Sequence, residues 1–382
     1  MKKATSKKLP NFFKNKFSEK LPFESLYRIN LGRDLDENLA YESFRKILNI
    51  KDEGTRTALM SMLLSGVMIK GAHSDEIVGL IKAAFSLDDL SNKRKLIINL
   101  PNNEKIIGYA GSGKKGIKTI NLSTPSAILA ASCGVYVAKA CSSSTSSITG
   151  SSDFLSSVGI NFLHNTEKNL KLLKNNKIAF FSMENTTPNF AKVYAGRFFT
   201  PHALSFALAG LSLPVETDTI LYGLAHPDIY LSAEVFQKFG FKNIMIISST
   251  EDGVHYIDEA GISGSLSVVG IKNGLLGKTA QCLPSHELKL PNYSMNDLSQ
   301  GKNEYDNVRL SVRALHGDGK SAHMDALCAN AGMLIYLSGK AKQFREGYLI
   351  AKNNLMNGKG FEKLIEIINS SGGNENSLKK IL

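Results

Sequence analysis

The sequence contains no tryptophan, only four cysteines and no long uninterrupted apolar stretch. No two cysteines have CxxC spacing, and we expect free thiols rather than a disulfide framework. No segment reaches the roughly eighteen apolar residues that a transmembrane helix requires, so no membrane span is predicted. The basic N-terminus also lacks the apolar core of a signal peptide, which favours a cytoplasmic location.

Acidic residues are fewer than basic ones, 34 against 46, which gives a formal net charge of +12. Residues 1–20 alone hold seven lysines and one glutamate. This excess of positive charge favours anionic partners, either phosphorylated small molecules or nucleic acid. For the N-terminal segment taken alone, a solvated basic tail explains the composition equally well.

Apolar spacing divides the chain of 382 residues into several parts. Residues 1–22 form a basic extension, and residues 23–92 repeat apolar positions at intervals of three and four, which predicts a helical domain. Residues 93–370 alternate short Ile- and aromatic-rich runs with helical patterns, which is typical of an α/β domain with a mostly parallel central sheet. A further helical contribution to the first domain is expected from about 165–210, and residues 371–382 are predicted to be a loose tail.

The stretch GYAGSGKKGIKTINLST, residues 108–124, has the pattern of an anion-binding loop. Its glycines Gly111, Gly113 and Gly116 free the backbone to bring N–H groups close to an anion. The polar residues after the loop open a helical pattern, and a helix N-terminus adds unpaired N–H donors. The loop predicts a phosphate site, although an ordinary strand-to-helix turn would have the same glycines.

A second hydroxyl-rich segment follows the next predicted strand, which ends near Lys139. Residues 141–153, CSSSTSSITGSSD, supply hydroxyl groups and another glycine-led helix start. Two such helix starts after neighbouring strands would make a cradle for a diphosphate, and Lys139 could reach the same crevice.

The segment from Gly111 to Ile160 resembles anthranilate phosphoribosyltransferase. It aligns without gaps to that family's GTGGDG loop, its N-[IL]-S-T helix start, its V-x-K-H-G-N strand end and its S-S-x-S-G-x-x-D helix start. The resemblance extends over most of the chain. It implies a small helical domain hinged to a larger α/β domain, usually in a homodimer. It also implies phosphoribosyl pyrophosphate (PRPP) with magnesium in the α/β domain, and an aromatic amine at the hinge.

The resemblance also implies the residues of the site. Those expected to hold the sugar phosphate are Gly111, Ser112, Gly113, Lys114, Lys115, Gly116, Asn121, Ser123, Thr124, Lys139 and Ser147. Lys139 and Arg197 are the expected catalytic residues, and Arg197 matches the arginine that faces the carboxylate of the amine.

Several positions depart from the family pattern. Lys115 replaces the acid of the loop, and Ala140, Cys141 and Ser142 replace its His-Gly-Asn. The family's His-Pro before the hinge is here Thr187-Pro188.

The largest departure concerns the family's metal-binding Asp-Glu pair. In EDGVHYIDEAG, His255 and Tyr256 align with that pair. Asp258 and Glu259 follow three residues later and are more simply explained as a solvated loop pair than as metal ligands. Together with Ser123 they are the only metal candidates, which makes the use of magnesium doubtful. Lysines could neutralise a phosphate without a metal, as they do in related pyrimidine nucleoside phosphorylases.

The sequence thus favours a transferase that moves phosphoribosyl from PRPP to an aromatic amine or base, with an altered metal and acceptor site. Two alternatives stay open. One is a metal-free enzyme of the nucleoside-phosphorylase type. The other is an inactive relative that binds single-stranded nucleic acid, for which the basic extension offers charge and the stacking faces of Phe12, Phe13 and Phe17.

Overall fold

The structure is a computed structural model that describes residues 21–90, 95–144, 147–194 and 198–382. Arg197 and the basic extension with its three phenylalanines therefore lie outside the described residues. The chain forms two compact units. The first ends at Leu87 and includes His202–Leu204.

Four helices build the first unit: α1 Leu21–Asn30, α2 Glu37–Leu48, α3 Glu53–Ile69 and α4 Ser74–Ser86. Helices α2 and α4 approach closely at Gly79, where a Cβ atom would lie 2.2 Å from the carbonyl oxygen of Glu37. Glu76 is fully buried in α4, accepts the backbone N–H of His73 at 2.9 Å and pairs with Lys70 at 2.8 Å. This buried carboxylate is therefore compensated, as burial of a charge requires.

A nine-stranded mixed sheet forms the centre of the second unit. Its strands are β1 Ile106–Gly111, β2 Tyr136–Cys141, β3 Ile178–Ser182, β4 Thr219–Gly223, β5 Ile244–Thr250, β6 Tyr256–Ile257, β7 Ser265–Lys272, β8 Leu275–Leu276 and β9 Ala280–Cys282. The order is β3-β2-β1-β4-β5-β7-β8, with β6 on β5 and β9 on β7. Strands β1 to β5 pair in parallel, and the strands after β5 pair antiparallel. The predicted α/β fold with a mostly parallel sheet is thus confirmed.

Helices of the second unit cover the sheet and form much of its core. They are α5 Ser123–Ser132, α6 Ser151–Ser157, α7 Thr166–Asn176, α8 Met183–Thr186, α9 Pro188–Tyr194, α10 Leu208–Leu211, α11 Ile229–Lys238, α12 Pro284–Leu288, α13 Glu304–His316, α14 Ser321–Leu337, α15 Phe344–Met356, α16 Lys359–Ser370 and α17 Glu375–Lys379. Short 3-10 helices occur at Pro101–Asn103, Ala203–Phe206 and Met295–Leu298. None of the described helices is long and apolar enough to cross a membrane.

The C-terminal tail is ordered, so the prediction of a loose tail is wrong. Helix α17 begins where the backbone N–H of Asn374 donates to the carbonyl oxygen of Gly159 at 2.8 Å. Leu378 and Ile381 are 2% and 4% exposed and belong to the main hydrophobic core. Burial of these two side chains compensates the entropy lost by ordering a polar, glycine-led segment.

Candidate functional site

The predicted phosphate loop lies at the point where the strand order of the sheet changes direction. From β1 the chain continues outward to β2 and β3, and then returns to place β4 and β5 on the other side of β1. Crevices at the carboxyl ends of strands next to such a point are where open α/β sheets bind ligands. The loop begins at Gly111, the last residue of β1, which is in register with Gly223 at the end of β4.

The glycines of this region make room for a neighbouring segment, residues 255–258. A Cβ atom on Gly111 would lie 2.5 Å from Asp258 Oδ2, and one on Gly116 would lie 2.8 Å from His255 Cα. A Cβ atom on Gly223 would lie 1.7 Å from the carbonyl oxygen of Asp258. Their immediate structural role is therefore close backbone packing, whereas Gly113 adopts a left-handed conformation with φ of 62°.

Asp258 and Glu259 are buried against the loop, at 6% and 2% exposure. Asp258 Oδ2 accepts the backbone N–H of Gly113 at 2.7 Å. The interpretation of this pair as solvated is therefore wrong. The polar N–H of Gly113 compensates part of the burial of the carboxylate.

A local turn precedes Asp258 and Glu259 in the chain, and it contains His255. Asp252 Oδ1 accepts the backbone N–H groups of Val254 and His255, at 2.9 and 2.8 Å. The His255 ring lies 2.6 Å from Asp252 Oδ2, and its side chain is 54% exposed. The turn leads into β6, after which Asp258 and Glu259 contact the loop at Gly113 and Lys115.

Lys115 lies between the two carboxylates. Its Nζ atom is 2.6 Å from Glu259 Oε1 and 3.9 Å from Asp258 Oδ1, and it donates to the hydroxyl of Thr119 at 2.9 Å. Burial alone lowers the pKa of Lys115, but Glu259 and Asp258 outweigh it and the net shift is upward. Burial raises the pKa of Glu259, and the nearby ammonium of Lys115 opposes this shift.

Three further lysines surround the acidic pair. Lys139 is 3% exposed, donates to the carbonyl oxygen of Ala140 at 2.7 Å and lies 5.0 Å from the centroid of the Tyr109 ring. Burial lowers the pKa of Lys114 and of Lys139 to about 8 in each case. Lys114, Lys118 and Lys139 each interact electrostatically with Asp258. Of these three lysines, Lys114 and Lys139 are predicted site residues and Lys118 is not.

The hydroxyl-bearing residues form the second half of the site. Asn121 donates to Thr149 Oγ1 at 2.7 Å, which ties the loop to the serine segment. Ser147 is exposed and donates to the carbonyl oxygen of Thr149 at 3.1 Å. Thr124 is fully buried, and its Oγ1 has no hydrogen-bond partner among the described residues. A buried, unpaired hydroxyl at the start of a helix is suited to a ligand oxygen.

The start of α5 also offers backbone N–H groups that no side chain caps. Leu122 precedes it and no side chain caps the helix, while Ser123 is its first, half-buried residue. An uncapped helix of ten residues leaves N–H groups and a partial positive charge for an anion. Ser112 lies at the other side of the loop, where its hydroxyl accepts the backbone N–H of Ala225 at 2.9 Å.

Two residues that position the acidic pair were missed from the sequence. Asn330 Oδ1 accepts the backbone N–H of Ala260 at 2.9 Å, and its Nδ2 donates to the carbonyl oxygen of Ala260 at 3.0 Å. Ser249 Oγ donates to the carbonyl oxygen of Glu259 at 2.8 Å and accepts the N–H of Gly261 at 2.9 Å. The one available signal was an asparagine in the otherwise apolar run ALCANAGMLI.

The residues present do not fit a divalent cation held by the acidic pair, because Lys115 already lies against it. Among the described residues, no group of three or more His, Cys, Asp or Glu side chains could hold a metal ion. Ser123 lies at the start of α5, and nothing in the structure tests it as a metal ligand.

Comparison with known proteins identifies the family. Residues 103–361 match the family described as glycosyl transferase family, a/b domain. The anthranilate phosphoribosyltransferase of Bacillus thuringiensis subsp. konkukian is 31% identical over 347 residues, which cover 89% of this chain and 95% of that protein. The chain belongs to the anthranilate phosphoribosyltransferase family. The Colwellia psychrerythraea protein of the same name is 27% identical, with 89% of both chains covered.

Solved structures of family members share the fold. The Thermus thermophilus enzyme matches with a TM-score of 0.69 and 23% identity, covering 91% of this chain and 99% of its own. The Saccharomyces cerevisiae enzyme in complex with PRPP and Mg matches with a TM-score of 0.72 and 20% identity, covering 93% and 99%. At this identity the likeness concerns the fold alone.

Proposed function

We propose that this protein transfers the phosphoribosyl group of PRPP to an aromatic amine, with anthranilate as the first acceptor to test. The observation that carries the proposal is the charge at the loop. Lys115 contacts Glu259, and Lys114, Lys118 and Lys139 interact electrostatically with Asp258. Four positive charges therefore act on two negative ones when all are ionised. A polyanion such as PRPP suits a site with this balance.

Phosphoribosyl transfer mainly requires stabilisation of the leaving group, pyrophosphate. The bond between the ribose C1 atom and the pyrophosphate oxygen breaks, and a bond forms between C1 and the amine nitrogen. Pyrophosphate departs with the electron pair, and the amine loses a proton to solvent. Negative charge therefore grows on the pyrophosphate, where preorganised cations and N–H donors lower the barrier. Lys139 and the uncapped start of α5 are the groups we assign to this task.

The test is a transfer assay with the purified full chain, PRPP and anthranilate, which follows pyrophosphate release and product formation. We expect Lys139→Met to lower kcat/KM by at least about tenfold, the effect of losing about 1.4 kcal/mol of transition-state stabilisation. The matched control is Lys177→Met. Lys177 also lies over a tyrosine ring, 4.3 Å from the centroid of Tyr136, but at the other end of β2.

No transfer to anthranilate or to other aromatic amines and bases would contradict the proposal. Single-stranded nucleic acid would then be the ligand to test, although none of the relatives described above has a name that supports this alternative. Equal loss of activity in Lys139→Met and Lys177→Met would show that Lys139 acts through general stability.

We further propose that the protein works as a homodimer in the cytoplasm, with the two compact units as its helical and α/β domains. Helix α1 exposes Phe23 and Tyr27 at 48% and 65%, and Leu31 after it is 69% exposed, which is compatible with a partner surface. Light scattering after size exclusion should give about 83 kDa, twice the chain mass of 41.6 kDa.

A further inference from the structure

The acidic pair beside the phosphate loop already has a cation, supplied by the chain itself. The ammonium of Lys115 contacts Glu259 Oε1 at 2.6 Å and lies 3.9 Å from Asp258 Oδ1. Its side chain is 18% exposed, and Thr119 fixes its end by accepting a hydrogen bond at 2.9 Å. The ammonium is therefore held between the carboxylates by contacts on more than one side.

The remaining oxygens of the pair offer little to a metal ion. Asp258 Oδ2 is used by the N–H of Gly113 at 2.7 Å. Asp258 Oδ1 and Glu259 Oε2 are buried and have no hydrogen-bond partner in the part of the chain that is described. Magnesium prefers six oxygens in near-octahedral geometry, and an ion on these two would meet the ammonium of Lys115.

The positive charge of the nearby lysines also disfavours a divalent cation at this site. In addition to Lys115, Lys114 and Lys118 interact electrostatically with Asp258, and Lys139 interacts with both carboxylates. A divalent cation would enter a region that is already positive, where it is repelled. An anion with several charges would be attracted, because the lysines lie in a partly buried setting that screens poorly.

We infer that the Lys115 ammonium takes the place of a divalent cation at Asp258 and Glu259, so that the site binds pyrophosphate through lysines and not through a protein-held metal ion. The part of this inference that concerns pyrophosphate rests on the proposed function. The part that concerns the carboxylate pair does not, because it is a statement about which cation occupies the pair.

The first experiment measures metal binding without any substrate. The full-length wild-type protein is titrated with Mn²⁺ by calorimetry and by electron paramagnetic resonance, together with Lys115→Met, Lys115→Arg and the control Lys118→Met. Methionine keeps the bulk of lysine but removes the charge, which frees both carboxylates. We expect Lys115→Met to bind one Mn²⁺ at least about tenfold more tightly than the other three proteins.

The control Lys118→Met separates local from general charge effects. Lys118 is in the same loop, and its Nζ donates to the backbone carbonyl oxygen of Lys115 at 2.8 Å, not to the carboxylates. The variant therefore removes one positive charge near the pair and leaves the contacts of the Lys115 ammonium in place. Tight Mn²⁺ binding by wild type, or equal gains in Lys115→Met and Lys118→Met, would overturn the inference.

The second experiment adds PRPP, in EDTA and in excess Mg²⁺. We expect the wild-type affinity for PRPP in EDTA to be within about threefold of that in Mg²⁺, and Lys115→Met to lose at least about tenfold in EDTA. Wild-type binding that requires Mg²⁺ overturns the inference even if Lys115→Met fails to fold. A further outcome is that PRPP binds under neither condition while Mn²⁺ binding follows the expected pattern. In that case the proposed function is wrong, but the inference that the Lys115 ammonium replaces a divalent cation at Asp258 and Glu259 is upheld.

Discussion

Asp258 and Gly113 are joined by a hydrogen bond of 2.7 Å across 145 residues of sequence, from the backbone N–H of the glycine to the carboxylate. This contact fixes the phosphate loop to the segment that carries the acidic pair. It also uses an N–H group that the sequence suggests for an anionic ligand. The loop is thus held in shape by a carboxylate of the chain, and the lysines around it supply the positive charge.

Gly223 is the position where this arrangement tolerates a side chain least. Replacement by alanine places Cβ 1.7 Å from the carbonyl oxygen of Asp258, a backbone atom that cannot move alone. We expect Gly223→Ala to lower the free energy of unfolding by about 3 kcal/mol or more in urea denaturation. The control is Gly270→Ala in β7, where the nearest atom to the new Cβ is 3.4 Å away. Equal stability of the two variants would contradict the packing described here.

Asn330 offers a test of how the acidic pair is positioned. Its side chain satisfies both backbone groups of Ala260, next to Glu259, and is fully buried. Asn330→Ala leaves a buried N–H and a buried carbonyl unpaired, so a loss of about 2–4 kcal/mol in unfolding free energy is expected. Asn357→Ala, at an exposed asparagine, should cost less than about 0.5 kcal/mol. Similar losses in both would show that the contact with Ala260 contributes little.

The sequence predicts the local elements of the site and not their long-range partners. The alternation of strand and helix patterns predicts the sheet, and the glycine spacing predicts the loop at the end of β1. The contact of Asp258 with Gly113 depends on the backbone path after the turn around Asp252, and the sequence does not show that path. The contact between Lys115 and Glu259 joins residues far apart in the chain, and no local pattern indicates it.

The prediction of a loose C-terminal tail is wrong for a related reason. Its composition, SSGGNENSLKKIL, is polar and glycine-rich, which locally favours disorder. The apolar residues near its end are few, and their value depends on a core formed by distant helices. The sequence shows how many apolar residues the tail contains, but not which distant part of the core buries them.

Leu378 tests this contribution directly. The side chain is 2% exposed, and its replacement by alanine removes buried methyl groups and leaves a cavity in the core. We expect Leu378→Ala to lower the unfolding free energy by about 2–3 kcal/mol. Leu382→Ala, four residues later and 56% exposed, is the matched control and should have little effect. An unchanged melting temperature in Leu378→Ala would mean that the tail is not docked.

His323, near the start of α14, should make stability depend on pH. Its side chain is 1% exposed, and burial lowers its pKa from 6.5 to about 4, with a smaller contribution from Lys320. Between these two values the unfolded chain binds a proton that the folded chain does not. The stability contributed by neutral His323 is therefore complete above about pH 6.5 and is lost as the pH falls toward 4.

The size of this loss of stability follows from the pKa shift of His323. At pH 5 the folded protein should be weakened by about 2 kcal/mol relative to pH 7.5, since each pKa unit corresponds to about 1.4 kcal/mol. Other groups titrate in the same range, so wild type is compared with His323→Gln at both pH values. The packing cost of the replacement is present at both and cancels in the difference. We expect wild type to lose about 2 kcal/mol more than the variant on going to pH 5, because glutamine cannot take up the proton. Parallel losses in the two proteins would show that His323 is protonated as easily in the folded state as in the unfolded chain.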